Sequence, residues 1–179
     1  YLKLYKTFML KFKFILLLSI LIIFNSCAKD KVKTSVIKEK SLELQVFEAY
    51  NEGMEAFEAG DVLYAAKKFN EAEVLFPQSD WAPRYALMAA YSYYVQDYYP
   101  DSIAELERFI KIYPFYKDIS YVHYLLGICY FEQIVDEKKD LRSIRQAKEK
   151  FEFVLKEYPN TEYAIDADFK IDLINDILA

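Results

Sequence analysis

Glycine and histidine are almost missing from this 179-residue chain, which has three Gly, one His, two Cys, five Pro and a single Trp. Three glycines are too few for an all-β protein with many tight turns, or for a dinucleotide or phosphate loop. One His and two Cys cannot build an all-His/Cys tetrahedral zinc site. A Ser-His-Asp or Cys-His mechanism would have to use His123. These shortages lean away from enzymes and toward a helical scaffold, with no cofactor and no small-molecule substrate implied. What the chain does have is 54% apolar residues, 28% charged residues, 17 Tyr and 14 Phe, enough to bury a core.

Charge is unevenly placed. Residues 1–26 carry Lys3, Lys6, Lys11 and Lys13 and no acid. Without those four lysines the formal charge moves from −5 to −9. An acidic body argues against nucleic acid as a partner.

The front of the chain reads as an address. It opens on Tyr1, and Met9 is the better start. From there a basic stretch precedes the 11-residue apolar run Phe14–Phe24, then Asn25, Ser26 and Cys27. A membrane-spanning helix needs about 20 residues, so the run fits a secretory signal peptide. The stretch resembles a bacterial lipobox, in which the Cys becomes the lipidated first residue. Phe24 stands where Leu is usual, and Asn25 is also atypical. The resemblance implies lipidation at Cys27; the alternative is an ordinary signal peptide or an uncleaved anchor with an incidental Cys. Several acyl chains would make anchoring stable. Ala28 after the Cys, by resemblance to enterobacterial sorting, implies the outer membrane, facing the periplasm. Residues 27–42 then read as the lipidated Cys and a Lys-rich flexible tether.

The body, 43–179, is repetitive. Phe76-Pro77, Tyr113-Pro114 and Tyr158-Pro159 recur at spacings of 37 and 45 residues. Two amphipathic stretches precede each pair. The expected helices are 43–59, 62–76, 81–97, 100–113, 118–135, 144–158 and 162–179. Two helices per unit mark a helical-hairpin solenoid. The pattern resembles the tetratricopeptide repeat: a small residue within the first helix, Gly at its end, Ala opening the second, an aromatic, a further Ala, then Pro. Unit one (43–79) supplies Gly53, Gly60, Ala65, Phe69, Ala72 and Pro77. Unit two (80–116) supplies Ala90, Leu106 and Pro114, with Ser102 and Phe109 at the two Ala positions. Unit three (117–161) supplies Gly127, Tyr130, Ala147, Phe151 and Pro159, with a longer turn inside IVDEKKDLRS. Residues 162–179 carry the stripe Ile165, Phe169, Leu173, Ile177 and read as the first helix of a fourth repeat. The fold expected is all-α, about three and a half repeats, cut short at its C-terminus.

Over residues 45–179 the chain resembles the BamD (ComL/YfiO) family of outer-membrane assembly lipoproteins. The most specific stretches are YNEGMEAFEAGDVLYAAKKFNEAEVLFPQS, AELERFIKIYPFYKDISYVHYLLGICYFE and QAKEKFEFVLKEYPNTEYAIDADFKI. The resemblance implies a non-catalytic scaffold of β-barrel assembly, with a BamA-like barrel protein, other lipoproteins of that machinery and unfolded outer-membrane proteins as partners, and the membrane as its anchor. The family has five repeats, and the part implied to bind BamA lies beyond this chain.

In such an array the first helices line the concave face. That gives Phe47, Tyr50, Met54, Phe57 and Glu58; Arg84, Leu87, Tyr91, Tyr94 and Val95; and Tyr121, Tyr124, Ile128, Phe131 and Glu132. Tyr and Phe supply large contact area at low entropy cost. By resemblance the groove would take the aromatic C-terminal signal of a barrel strand, with Arg84 meeting its carboxylate. The competing reading packs these aromatics between repeats. The basic and Asn residues of a chaperone-type carboxylate clamp are missing. His123 reads as structural, Cys129 as a buried small hydrophobe, Asp168, Asp172 and Asp176 as a solvated face, and Asp136–Asp140 as an exposed turn. Two other functions stay open: another periplasmic repeat lipoprotein, for pilus secretin assembly or wall synthesis, and the solenoid part of a lytic transglycosylase.

Overall fold

Seven helices follow one another along the described part of the chain: α1 (Leu42–Glu58), α2 (Val62–Leu75), α3 (Ala82–Tyr94), α4 (Tyr99–Ile112), α5 (Ile119–Asp136), α6 (Leu141–Glu157) and α7 (Glu162–Leu178). The computed structural model describes residues 41–136 and 141–179, with side chains to 133 and again from 141. The chain divides into two units, 1–39 and 40–179, and the described residues belong to the second. Cys27, the signal peptide and the tether as far as residue 40 lie outside the described residues, as does most of the Asp136–Asp140 turn; Ser41 and Leu42, expected at the end of the tether, are the cap and first residue of α1.

Local chemistry sets the helix ends. Ser41, Asp61 and Thr161 cap α1, α2 and α7, each side chain accepting from a backbone N–H three residues on, at 3.3, 3.2 and 3.2 Å. Pro83 and Pro100 fall in the first turns of α3 and α4, where a missing N–H costs nothing. Pro77, Pro114 and Pro159 each follow the last residues of a second helix and prevent its continuation. Gly60 closes the turn after α1 at φ +80, the left-handed region. The matching turn of the second unit has no glycine. Asp97 takes it at φ 64, which Asp tolerates better than most residues, and its carboxylate accepts from Tyr99 Oη at 2.7 Å. That turn ends α3 at Tyr94, earlier than the helical pattern alone suggests. In the third unit the long turn is largely absorbed by helix: α5 runs to Asp136 and α6 starts at Leu141.

The helices pair as antiparallel hairpins. Val46 and Ala49, early in α1, pack with Ala72 and Leu75, late in α2, and with Tyr85, early in α3. Ala56, late in α1, packs with Ala65 and Ala66, early in α2. The starts of the first helices and the ends of the second helices therefore share one edge. Inside each hairpin one ring fills the gap opened by a small residue. A Cβ on Gly53 would stand 2.9 Å from Phe69 Cε1, and one on Gly127 would stand 2.7 Å from Phe151 Cε1. Both rings are fully buried. The middle unit uses a different pair: Ala90 has the extra methyl, and Leu106 takes the place of the ring. Ser102 keeps the close approach there without an unsatisfied hydroxyl, because its Oγ donates to Ala90 O at 3.0 Å. Phe109 fills its share of the core against Tyr113 and Tyr116, at centroid distances of 5.2 and 5.4 Å.

Helix α5 is apolar almost all round, with Val122, Leu125, Leu126, Ile128, Cys129 and Tyr130 buried. A helix of that kind belongs inside, and α4, α6 and α7 all pack on it. Helix α7 buries Ala164, Ala167 and Ile174. Its opposite stripe, Ile165, Phe169, Leu173 and Ile177, is uncovered, from 36% to 75% exposed.

A polar clasp joins the first two units. Glu73 on α2 is 5% exposed. It accepts from Arg108 Nη1 at 2.9 Å, Arg108 Nη2 at 2.6 Å and Tyr113 Oη at 2.7 Å. Arg108 also donates to Glu105 and Asn70, and Asn70 donates to Glu105. The hydrogen bonds to Glu73 hold Arg108 well above the usual guanidinium range, and burial, with the hydrogen bond to Glu73, pushes the Tyr113 hydroxyl up.

Two stability outcomes are expected. Gly53→Ala drives a methyl into a ring that has no free space and costs about 1–3 kcal/mol. In a Phe69→Leu background, which copies the middle unit, the same change costs less; urea unfolding of the four variants measures that coupling. Arg108→Ala leaves Glu73 buried without its cation and costs about 3 kcal/mol. Arg108→Lys recovers only part of this, because an ammonium cannot make the two-pronged contact.

Candidate functional site

The first helices of the hairpins carry a ladder of aromatic rings. Tyr50 packs against Phe69 and Tyr85 at 5.9 and 5.5 Å. Phe57 meets Tyr91 at 6.0 Å, Tyr91 meets Tyr94 at 5.9 Å, and Tyr94 meets Tyr99 at 6.2 Å. Tyr121 and Tyr124 both pack on Tyr163 of α7, at 5.5 and 5.4 Å. Tyr124 Oη donates to Asp166, and Lys170 Nζ lies 4.8 Å from the Phe131 ring centre. Burial pushes the hydroxyl of Tyr121 up to about 12.

This geometry divides the residues expected in a groove. Tyr50, Met54, Phe57, Leu87, Tyr91, Tyr94, Tyr121, Tyr124 and Phe131 are half-buried and serve the stacking between neighbouring units. Phe47 and Arg84 are exposed. Ile128 departs from a concave position: at 6% exposure it belongs to the core under α5.

Open space remains between units one and two. A hollow of about 550 Å³ is lined by Tyr50, Trp81, Arg84, Tyr85, Leu87, Met88 and Tyr116. It gathers three of the expected residues, Tyr50, Arg84 and Leu87. Trp81, Tyr85, Met88 and Tyr116 are additions that helix positions alone do not reveal. Trp81 and Tyr116 come from the ends of the loops between hairpins. Their signal in the sequence is the aromatic enrichment of those loops. Arg84 is stacked over Trp81, its guanidinium carbon 5.0 Å from the ring centre. It makes no ion pair with any described residue. The hollow thus offers apolar walls, several hydroxyls and one cation that is not already committed. Such a surface suits an aromatic or aliphatic side chain next to an anionic group.

The other candidates have structural surroundings. His123 lies against Phe153 at 4.6 Å and Tyr158 at 5.9 Å. Burial, with Lys150 nearby, lowers its pKa. Cys129 is buried and free; burial raises its thiol to about 11, and its Sγ donates to Ser102 Oγ at 3.4 Å. Asp168, Asp172 and Asp176 are exposed on α7. Among the described residues no His, Cys, Asp and Glu cluster has the arrangement to hold a metal ion. No described helix is long and apolar enough to cross a membrane.

The backbone defines the class first. It is similar to the N-terminal domain of stress-induced protein-1 from C. elegans, with a TM-score of 0.57 and 15% identity over 73% of this chain and 97% of that one. It is likewise similar to the first tetratricopeptide domain of Spaghetti (RPAP3), solved with an HSP90 peptide, with a TM-score of 0.54 and 16% identity over 75% of this chain and 94% of that one. The described residues form an all-helical solenoid of tetratricopeptide type.

Sequence defines the family. Residues 43–179 match the model of the YfiO outer membrane lipoproteins. The chain is 41% identical over 154 residues to the outer membrane protein assembly factor BamD of Caulobacter vibrioides, covering 86% of this chain and 49% of that protein. It is 36% identical over 130 residues to the BamD of Rickettsia prowazekii, covering 73% of this chain and 52% of that protein. The chain belongs to the YfiO (BamD) family of outer membrane lipoproteins. It spans about half the length of the curated relatives it matches.

A pH dependence follows from His123. Its pKa is lower in the folded than in the unfolded chain, so protonation favours unfolding. The stability it contributes is fully present above about pH 6.5 and is lost as pH falls through that value. The melting temperature is expected to decline between pH 7.5 and 5.5, and His123→Phe is expected to flatten that stretch of the profile.

Proposed function

We propose that the chain acts as a non-catalytic scaffold in outer-membrane protein assembly. It holds unfolded barrel proteins while they pass to a BamA-like barrel protein and its partner lipoproteins. The hollow between the first two units receives the C-terminal end of an unfolded strand. The terminal aromatic side chain enters between Tyr50, Tyr85 and Met88, and the carboxylate meets Arg84. Family membership supports the assembly role, and the observation that carries the site is the Arg84 guanidinium, stacked on Trp81 and without an ion-pair partner among the described residues, at an aromatic hollow.

The physical logic is differential. An extended segment ending in a ring gains apolar burial that a polar segment does not. A free carboxylate gains a charge-assisted hydrogen bond that an internal peptide bond cannot make. Together they would select chain ends over internal strands. Lipid anchoring at Cys27 would hold the scaffold at the periplasmic face of the outer membrane. The work is binding and positioning, with no bond made or broken.

Tyr91 and Tyr94 are poor first targets for a test, because their rings also hold adjacent helices together. Arg84 is exposed and suits the purpose. Titration of the full chain with a fluorescent peptide ending in Phe should give roughly tenfold tighter binding for the free acid than for the C-terminal amide. Arg84→Gln should erase that difference without changing the circular dichroism spectrum. Equal affinity for acid and amide in the unaltered chain would remove Arg84 from the site.

A further inference from the structure

The edge that carries the starts of the first helices has a surface that meets the peptide hollow at Trp81 and Tyr116 and extends beyond it. Its most prominent feature is Phe115, 98% exposed at the tip of the loop between α4 and α5. Nothing in the core holds this ring. Pro114 precedes it, and Pro77 stiffens the neighbouring loop, so both loops display their side chains on restrained backbone. Between the loops lies a second hollow of about 520 Å³, whose walls include Pro77, Pro83, Ile112, Phe115 and Lys117. Trp81, 53% exposed, stands at the adjoining corner beside Tyr116 and Lys117. Exposed apolar tips gathered on one edge mark an interaction surface.

Three observations select the partner. The tips are Trp, Phe and Ile, with Lys111 and Lys117 beside them. Aromatic rings with nearby lysines are the composition that rests at a membrane interface, the rings at the headgroup level and the lysine stems alongside. Next, the family is one of outer membrane lipoproteins, so a lipid surface lies within reach of an anchored body. Last, α1 starts at this same edge, as the packing of Val46 and Ala49 with Ala72 and Leu75 shows. Helix α1 therefore begins on the side where Phe115 and Trp81 protrude.

We infer that the loop edge bearing Trp81, Ile112 and Phe115 rests on the lipid surface to which the protein is anchored. At the corner around Trp81, Asp80 sits with Arg84 and Lys117, and Lys117 pairs with Asp118 at 3.8 Å, so charge at that corner is nearly balanced. Apolar insertion, not attraction to anionic headgroups, provides the contact. The inference rests on the family's membrane attachment; Trp81 also walls the hollow beside Arg84, so the lipid measurements are made without peptide, and Phe115, which lies outside that hollow, separates the two contacts.

Trp81 is the only tryptophan in the chain, which makes it a specific reporter. The full chain, purified from membranes with its own anchor, would be reconstituted into vesicles of phosphatidylethanolamine and phosphatidylglycerol. The expected result is a blue shift of Trp81 emission and an about twofold loss of intensity when the acyl chains carry bromine near the headgroup. Phe115→Glu should restore the intensity while helicity and peptide affinity stay unchanged, because that ring supports nothing inside the fold. A photocrosslinking side chain in place of Phe115 should label lipid in native membranes. Emission indifferent to brominated lipid would overturn the inference. So would quenching that survives Phe115→Glu, or labelling of a protein in place of lipid.

Discussion

The whole solenoid depends on how closely the two helices of each hairpin approach. That distance is set by a ring seated on a residue without a side chain, Phe69 on Gly53 and Phe151 on Gly127. The middle unit keeps the approach with Ala90 and Leu106, giving up ring volume for one methyl. Each pair conserves the local volume of the gap, so successive hairpins have similar thickness and can stack. Once stacked, α1 and α3 meet through Tyr50–Tyr85 and Phe57–Tyr91, and α5 and α7 through Tyr121–Tyr163 and Tyr124–Tyr163.

The hollow beside Arg84 is a consequence of that stacking. Tyr50, Tyr85 and Met88 wall it because α1 and α3 lie side by side, while the loops at the hairpin edge bring in Trp81 and Tyr116. The relation between units one and two is fixed on the second helices by the Glu73–Arg108–Tyr113 clasp. A buried acid with three donors is costly to break, because removing its cation leaves a charge without a partner away from water. The clasp thus supports the width of the hollow from the far side of the helical layers. Residues that look structural on one helix pair set the shape available for binding on another.

Much of the fold was legible in the sequence because so few residues can do what the repeat requires. Gly53, Gly127, Pro77, Pro114 and Pro159 each mark a close approach or a helix end, and their spacing reports the hairpins directly. Asp97 was harder to read. It replaces glycine in a left-handed turn, and nothing in its surroundings in sequence announces that. The hollow was legible only in part. The concave positions implied by the repeat resemblance pointed to Tyr50, Arg84 and Leu87, but Trp81 and Tyr116 are placed by loops, whose path no repeat position fixes. Glu73 and Arg108 stand 35 residues apart, so their pairing becomes visible only when two hairpins are stacked. Ile128 shared the spacing of the concave positions, yet α5 is enclosed by its neighbours on nearly every side, and burial overrides the register.

The central claim is that the hollow between the first two units receives the end of an unfolded outer-membrane strand. The most direct measurement is site-specific photocrosslinking from Leu87 in living cells, with the captured peptides identified by mass spectrometry. Adducts to the C-terminal strands of barrel proteins, lost when Arg84 is replaced by Gln, are the predicted result. Crosslinks confined to internal segments, or to proteins that never form a barrel, would contradict it.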